Sequence, residues 1–448
     1  MKRRLRIIGS VLIALVLAAG AYLYLTGAVL PVLGASQSSF LPRDLSPGDS
    51  VKIAEMARDR CRLLMGKRRR TCYEEILLAL VERGEVHLAM TSLSRLGQLD
   101  NVIPKNGHDF THVVGINAWA PGKDVGTVYD QCTELYQSGC YHGVIQSYLD
   151  VNGTDSATVG GLCNQIPSVR EQLWLRFQCV HGLGHGLVQA NHMHLPKALK
   201  GCDRLGDRWD AESCYGGAFM EFIVGGRGQS HHPHRAKAAN ATTTAVEGGE
   251  HAHDEHAGHD MSQMAPAGPD SFKVRDPKDP LYPCSVLEER YQRSCYGMQA
   301  GLVIEQTGAD FGKIAAACDG APETMRRSCY QGIGTYVSGF TVRNTDESIR
   351  LCNMGNPKYR VWCFVGVVKN YVDVTSQPAD GFEFCRRVGD RPIAIACYVA
   401  VGEQINVLKA APADRETICA TLDADLRQAC RYGARVETER PRELDSQS

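Results

Sequence analysis

The chain is organised by a cysteine repeat. A cysteine followed by an aromatic residue, any residue and a small residue recurs along it, and Cys363-Phe364-Val365-Gly366 is a clear copy. In the second half, the numbers of successive repeat cysteines differ by 34, 34, 34 and 33. A fixed period of this length is typical of a repeat protein, in which each unit packs against its neighbours. These cysteines are Cys295, Cys329, Cys363, Cys397 and Cys430.

Each repeat cysteine has a second cysteine shortly before it. The 18 cysteines form nine such pairs, and most pairs are 11 or 12 residues apart. An even, repeated count indicates a disulfide framework in an oxidising compartment, whereas zinc-binding cysteines usually occur as CxxC, which this sequence lacks. We predict one bridge within each repeat, although spacing leaves other connectivities open. The predicted pairs are Cys61 with Cys72, Cys132 with Cys140, Cys163 with Cys179, Cys202 with Cys214, Cys284 with Cys295, Cys318 with Cys329, Cys352 with Cys363, Cys385 with Cys397 and Cys419 with Cys430.

The repeats show helical periodicity without the alternation of strands. Between Thr345 and Val374, one helical segment ends before Gly355-Asn356-Pro357 and a second contains Val361 and the residues after it. A bridge from Cys352 to Cys363 would join the two helices. We therefore predict an all-α fold, an α/α helical-repeat solenoid of about ten hairpins of about 34 residues, most of them joined by a disulfide.

This arrangement resembles the tetratricopeptide and Sel1-like families of α/α repeats, and more specifically the disulfide-stapled secreted forms of Sel1-like repeats. The resemblance covers roughly residues 50 to 435 and consists of repeat length, helix pairs and cysteine bridges. The Trp-Leu-Gly-Tyr pattern of tetratricopeptide repeats is absent. The resemblance implies a curved solenoid with a face on which a protein partner could bind, and it implies no reaction.

The amino terminus predicts export. Lys2-Arg3-Arg4-Leu5-Arg6 precedes an uncharged run from Ile7 to about Leu33. A helix of about 20 apolar residues spans a bilayer, and a basic flank stays in the cytoplasm. We predict a single-pass signal-anchor in the cell membrane, with the remaining chain in the periplasm or outside the cell. A cleavable signal ending near Leu33-Gly34-Ala35 is the alternative.

The predicted order of segments follows from these features. Cys72 and Cys140 are 68 residues apart, or two periods, so a repeat without cysteines should lie between them, with Asn106 in the cysteine's place. A net charge of -1 argues against a nucleic-acid partner. The segments are a basic stub and anchor (1–35), a linker (36–50), N-terminal repeats (51–224), a His-rich disordered insertion (225–278), C-terminal repeats (279–435) and a charged tail (436–448).

Histidines recur at matched positions in the N-terminal repeats. His142 and His181 each follow a repeat cysteine by two residues, and His108 follows Asn106 by two. His112 and His185 lie four residues after His108 and His181, on the same helix face. Neighbouring helices are about 8 to 10 Å apart, so the imidazoles could converge on one ion. With the cysteines oxidised, zinc or copper is favoured, and iron or nickel is the alternative.

Two carboxylates accompany these histidines. Asp109 and Glu221 could act as a metal ligand, as a general base on a metal-bound water, or as a partner that holds an imidazole. The sequence has no HExxH, so it does not indicate a zinc protease, and no strand or GK[ST] accompanies the glycines of residues 181–186, so it does not indicate a phosphate loop. The alternatives are that the imidazoles form a buried hydrogen-bonded cluster, or that their matched spacing is a coincidence.

A second group of histidines lies in the insertion. Such a tract binds transition metals loosely, or is a solvated linker whose histidines do nothing specific. His192 and His194 could belong to either group or to neither. The insertion's histidines are His231, His232, His234, His251, His253, His256 and His259.

Two functions are compatible with these features. The first is a membrane-anchored, exported protein with a His-rich transition-metal site, used for metal handling or for metal-dependent chemistry. The second is a repeat scaffold in the cell envelope that binds a protein or peptide and uses its histidines structurally.

Overall fold

The computed structural model describes residues 41–226 and 272–447, except residue 43. Within these ranges the regular structure is helical, with no β-strand, which confirms the all-α prediction. The predicted membrane anchor and the histidines of the insertion lie outside the described residues. None of the helices in the described ranges is both long and apolar enough to cross a bilayer.

Twelve helices precede the insertion. The repeat without cysteines contains α3 and α5 of the following list. The helices are α1 Ser50–Cys61, α2 Gly66–Glu82, α3 Val86–Leu99, α4 Val102–Lys105, α5 Gly107–Ala118, α6 Val125–Tyr129, α7 Gly139–Asn152, α8 Ser156–Gln165, α9 Pro167–Glu171, α10 Leu173–Ala190, α11 Leu195–Cys202 and α12 Arg208–Gly226.

Nine helices follow the insertion. They alternate between longer helices, which carry the repeat cysteines, and shorter ones. They are α13 Glu289–Thr307, α14 Phe311–Asp319, α15 Glu323–Phe340, α16 Thr345–Cys352, α17 Arg360–Thr375, α18 Pro378–Arg386, α19 Arg391–Leu408, α20 Pro412–Cys419 and α21 Ala424–Gly433. Short 3-10 turns lie at Pro47–Asp49, Cys284–Val286 and Arg442–Gln447.

All nine predicted disulfides are present, with the predicted pairing. The Cys352–Cys363 bridge shows the common pattern. Cys352 is the last residue of α16 and Cys363 lies in the first turn of α17. Each bridge closes a short loop and so restricts the unfolded chain. In the chain-entropy model this stabilises the folded state by about 3 kcal/mol.

The helices that carry the repeat cysteines pack directly on one another from repeat to repeat. Glycine makes this close approach possible. A Cβ atom at Gly366 would lie 2.0 Å from the carbonyl oxygen of Gln331, and one at Gly334 would lie 2.0 Å from that of Cys363. The glycine three residues after one cysteine thus faces the residue two positions after the preceding cysteine. This contact explains why the motif ends in a small residue.

The same glycine contact shows which residue takes the cysteine's place in the repeat without cysteines. A Cβ at Gly143, three residues after Cys140, would lie 2.5 Å from the carbonyl oxygen of His112. His112 is therefore the residue at position two, and Phe110 takes the cysteine's place. The predicted equivalent, Asn106, is wrong by four residues, which is about one turn of helix. The period is not constant here, because this repeat contains the additional short helix α4.

Helix α19 contacts α10, so the repeats after the insertion approach those before it. Residues next to the repeats also pack on them: Leu41 is buried, and the turn at Arg442–Gln447 contacts α19. Parts of the predicted linker and tail thus extend the core.

Candidate metal centre

The five predicted histidines meet where α5, α7 and α10 pack together. The ring centre of His142 is 5.4 Å from that of His112, 4.9 Å from that of His181 and 5.1 Å from that of His185. His108 completes the group at 5.9 Å from His142. Two triads, His108–His112–His142 and His142–His181–His185, each place three ring nitrogens within 4.8 Å of one another. Both are close enough to hold a metal ion.

The centre of this histidine cluster is closed to solvent. His112 and His185 are 0% exposed and His142 is 2% exposed, whereas His108 is partly exposed. Burial, with a smaller contribution from neighbouring imidazoles, holds the pKa values of His142 and His181 well below the usual range. Both rings are therefore neutral at pH 7, which is the form that binds a metal ion.

Two of the rings are oriented by amides of the next repeat. His112 Nδ1 lies 3.0 Å from Gln146 Oε1, and His142 Nε2 lies 3.0 Å from Gln178 Oε1. An amide oxygen only accepts, so these ring nitrogens carry protons and donate. The lone pairs of the neutral rings are then His112 Nε2 and His142 Nδ1.

A carboxylate orients a third ring in the same way. Glu221 on α12 is buried, and its Oε2 lies 2.8 Å from His185 Nδ1. Gln189 Nε2 donates to the other oxygen of Glu221 at 2.9 Å. A carboxylate that accepts from one nitrogen of an imidazole directs the opposite nitrogen toward a metal and makes it more basic. Among the roles predicted for Glu221, these contacts match that of a partner that holds an imidazole in place.

A backbone carbonyl orients His108. His108 Nδ1 lies 2.9 Å from the carbonyl oxygen of Tyr136, so this nitrogen also donates. Tyr136, Gln137 and Ser138 have φ values of 50°, 59° and 62°, in the left-handed region that non-glycine residues seldom adopt. Such backbone strain concentrates at functional sites.

The arrangement places two lone pairs face to face. His108 Nε2 and His112 Nε2 are 3.2 Å apart, and both rings donate from Nδ1. If both rings are neutral, neither Nε2 carries a proton to share. Two imidazole nitrogens on one tetrahedral zinc ion, with bonds of about 2.0 to 2.1 Å, lie roughly 3.3 Å apart. Two lone pairs that face each other repel. A cation between the two rings would remove this repulsion, and the nitrogen–nitrogen separation it requires is close to the 3.2 Å observed.

Two further ring nitrogens lack partners. His142 Nδ1 and His181 Nδ1 are buried and have no hydrogen-bond partner among the described residues. A buried polar atom left unsatisfied costs about 1 to 3 kcal/mol. Both residues belong to the second triad, so a metal ion would supply the missing interaction.

The other candidate residues are placed elsewhere. Asp109 lies on α5 beside His108, but its carboxylate pairs with Arg70 Nη1 at 3.1 Å, and it is not part of either triad. His194 caps α11 and accepts from the Lys197 amide at 3.3 Å, and His192 is exposed. Neither joins the histidine cluster.

The sequence analysis missed Gln146, Gln178 and Tyr136. A signal for the two glutamines is present, since each follows its histidine by about one repeat period (34 and 36 residues), as Glu221 follows His185 by 36. The carbonyl of Tyr136 has no such signal, because any residue can supply a carbonyl group.

Comparison with known proteins adds no family to this description. No protein-family model, curated protein or solved structure matches the chain.

Proposed function

We propose that this protein binds a transition metal ion with the histidine cluster. The observation that carries the proposal is that His142 Nδ1, the remaining lone pair of a ring whose Nε2 donates to Gln178, is buried without a hydrogen-bond partner among the described residues and lies in the triad with His181 and His185. The ion is assigned to this triad because Glu221 orients His185 and because His181 Nδ1 also lacks a partner among the described residues. The 3.2 Å separation of His108 Nε2 and His112 Nε2 makes the neighbouring triad the second candidate.

The donor set favours zinc or copper. All five candidate ligands are imidazoles, which suit zinc, copper, iron and nickel, and the cysteines are oxidised. Nitrogens up to 4.8 Å apart within a triad would have to approach to about 3.3 Å, which side-chain rotation by roughly 1 Å at each ring provides. The burial of the central rings favours holding an ion over exposing it to a substrate, because catalytic sites keep an open position.

The expected stoichiometry is one tightly bound ion per chain. His142 belongs to both triads, but its Nε2 donates to Gln178, so only Nδ1 is available to a metal. One lone pair serves one ion. Filling both triads would require His142 to lose its bond to Gln178 and to bridge as an imidazolate.

The proposal places this site outside the cytoplasm, on a chain held by the amino-terminal apolar segment in the cell membrane. Nine disulfides support an oxidising compartment. The basic residues that precede the apolar run support the orientation. Metal handling in the cell envelope is the function that fits both features.

Elemental analysis of the purified full-length chain tests the proposal. To remove loose binding, the seven insertion histidines are replaced by asparagine in every sample. One equivalent of zinc or copper should survive dialysis against a weak chelator, and His181→Ala/His185→Ala should lose it. His87→Ala/His192→Ala is the matched control, because both of these histidines are exposed and lie outside the triads.

The rival function makes the opposite prediction. If the protein is a peptide-binding scaffold with structural histidines, no metal ion should remain bound and added zinc should not raise the melting temperature. His181→Ala/His185→Ala should still lower the melting temperature, because buried hydrogen bonds are lost. That pair of results would reject the metal site.

A further inference from the structure

A cavity outside the histidine cluster lies where α10 approaches α19. Its volume is about 340 Å³. Trp174 and Phe177 of α10 and Trp209 of α12 line one side, and Asn370 and Asp373 of α17 line the other. We name this cavity the aromatic chamber. Binding pockets for small molecules typically begin at about 300 Å³.

Aromatic rings form one wall of the chamber. The rings of Phe177 and Trp209 are 6.0 Å apart and inclined by 57°, and Trp174 lies one helical turn before Phe177. All three side chains are partly exposed. The face of an aromatic ring, and of indole most strongly, attracts a cation within about 6 Å.

The opposite wall carries a carboxylate without a partner. Among the described residues, Asp373 has no hydrogen bond and no ion pair from its side chain. Protein atoms surround it closely enough that burial raises its pKa to about 6. The other charged residue that lines the chamber, Lys369, is neutralised by Glu403 at 2.5 Å. The chamber therefore has a net negative charge when Asp373 is ionised.

From this combination we propose that the aromatic chamber binds a small organic ammonium ion, with Asp373 pairing with the charge and the rings of Trp174, Phe177 and Trp209 enclosing it. Aromatic rings with a nearby carboxylate are the arrangement by which proteins recognise alkylated ammonium groups. A metal ion is not expected here, since the chamber offers one carboxylate and no imidazole.

The chamber and the histidine cluster are separate sites. Phe177 stands between them, with its ring centre 5.3 Å from that of His181 on one side while it lines the chamber on the other. None of the five histidines lines the chamber. Ammonium binding therefore does not depend on metal binding, and each can be tested without the other.

Titration calorimetry on the full-length protein tests the inference, with tetramethylammonium, choline and butylammonium as probes. The neutral control is 3,3-dimethylbutan-1-ol, which has the shape of choline without its charge. At least one ammonium ion should bind at one site per chain, at least tenfold more tightly than the alcohol. Tryptophan fluorescence should change in parallel, because two of the four tryptophans line the chamber.

Variants assign the binding to the chamber. Asp373→Asn and Trp209→Leu should each weaken ammonium binding at least tenfold, whereas Asp346→Asn, at an exposed aspartate on α16, should not change it. His181→Ala/His185→Ala should lose metal and keep ammonium binding. The inference is overturned if none of the three ammonium ions binds, if the alcohol binds equally well, or if neither chamber variant weakens binding.

Discussion

Glu221 accepts a hydrogen bond from His185 across the interface between two repeats, with 2.8 Å between Oε2 and Nδ1. The same relationship joins His142 to Gln178 and His112 to Gln146. Helices α7 and α10 thus each supply imidazole to the cluster and an acceptor that orients an imidazole of the repeat before, whereas α12 supplies only the acceptor Glu221. Stacking of repeats in this way builds a polar centre in which three of the rings are already oriented by an acceptor.

Replacing Glu221 tests the importance of this orientation. Glu221→Ala should lower metal affinity by about 10- to 100-fold, because the ring of His185 loses the acceptor that fixes its tautomer. Glu221→Gln, which keeps an accepting oxygen, should have a smaller effect. Competition with a chromophoric chelator measures both. Glu212→Gln is the control, because Glu212 lies on the same helix and pairs with exposed Arg208; an equal loss of affinity there would contradict the assignment.

Replacing glycine by alanine should have opposite effects on stability at two positions. Gly366→Ala should lower the free energy of unfolding by about 1 to 3 kcal/mol or more, because its Cβ would lie 2.0 Å from the carbonyl oxygen of Gln331. Gly297→Ala, where no atom lies within 4 Å of the added Cβ, should stabilise by about 0.5 to 1 kcal/mol. Urea denaturation measures the two. Similar effects of the two variants would show that the helices do not pack as closely as described.

Each disulfide should contribute to the free energy of unfolding on its own. Cys352→Ala/Cys363→Ala removes one bridge and leaves the other eight described bridges in place. The free energy of unfolding should fall by about 3 kcal/mol, since the bridge closes a short loop between cysteines that are 11 residues apart. Thermal and urea unfolding give the value, and mass mapping without reduction checks that the remaining pairs are unchanged. Unaltered stability would contradict the predicted contribution.

The raised pKa of Asp373 predicts a pH dependence of folding. Its pKa is about 6 in the folded chain, against 3.8 as the ordinary value, so the folded state holds this proton more tightly than the unfolded state. The resulting stabilisation is complete below about pH 4 and is lost as the pH rises through 6. Asp373→Asn should therefore be more stable than the parent chain at pH 8, by a margin that shrinks toward pH 4. Denaturation curves at both pH values measure this difference, and a margin that does not change with pH would be inconsistent with it.

Much of the fold could be predicted from the cysteines, because each pair marks the same two positions of a helix hairpin. The bridges Cys318–Cys329 and Cys352–Cys363 were predicted from spacing and motif, which left other connectivities open, and the structure has the predicted pairing. Where a repeat lacks cysteines this marker is absent, and assuming a constant period placed Asn106 where Phe110 lies. Only the contact of Gly143 with His112 reveals the shift.

The candidate site was predictable in part, for a physical reason. Histidine is uncommon enough that its recurrence in successive repeats identified all five cluster members, although the shift to Phe110 puts His112, and not His108, at the position of His142 and His181. Glutamine and backbone carbonyls occur everywhere, so the acceptors Gln146 and Gln178 become recognisable only once the packing of neighbouring helices is known. The aromatic chamber depends on contact between α10 and α19, which arises from small rotations summed over many repeats.

X-ray absorption spectroscopy of the metal-loaded chain, with the insertion histidines replaced by asparagine, tests the central claim most directly. We predict one ion per chain with at least three nitrogen ligands at about 2.0 to 2.1 Å for zinc, imidazole scattering beyond them and no sulfur ligand. The signal should disappear in His142→Ala, since His142 belongs to both triads. A chain that retains no metal, or an ion surrounded by oxygen or sulfur in place of imidazole, would contradict the account.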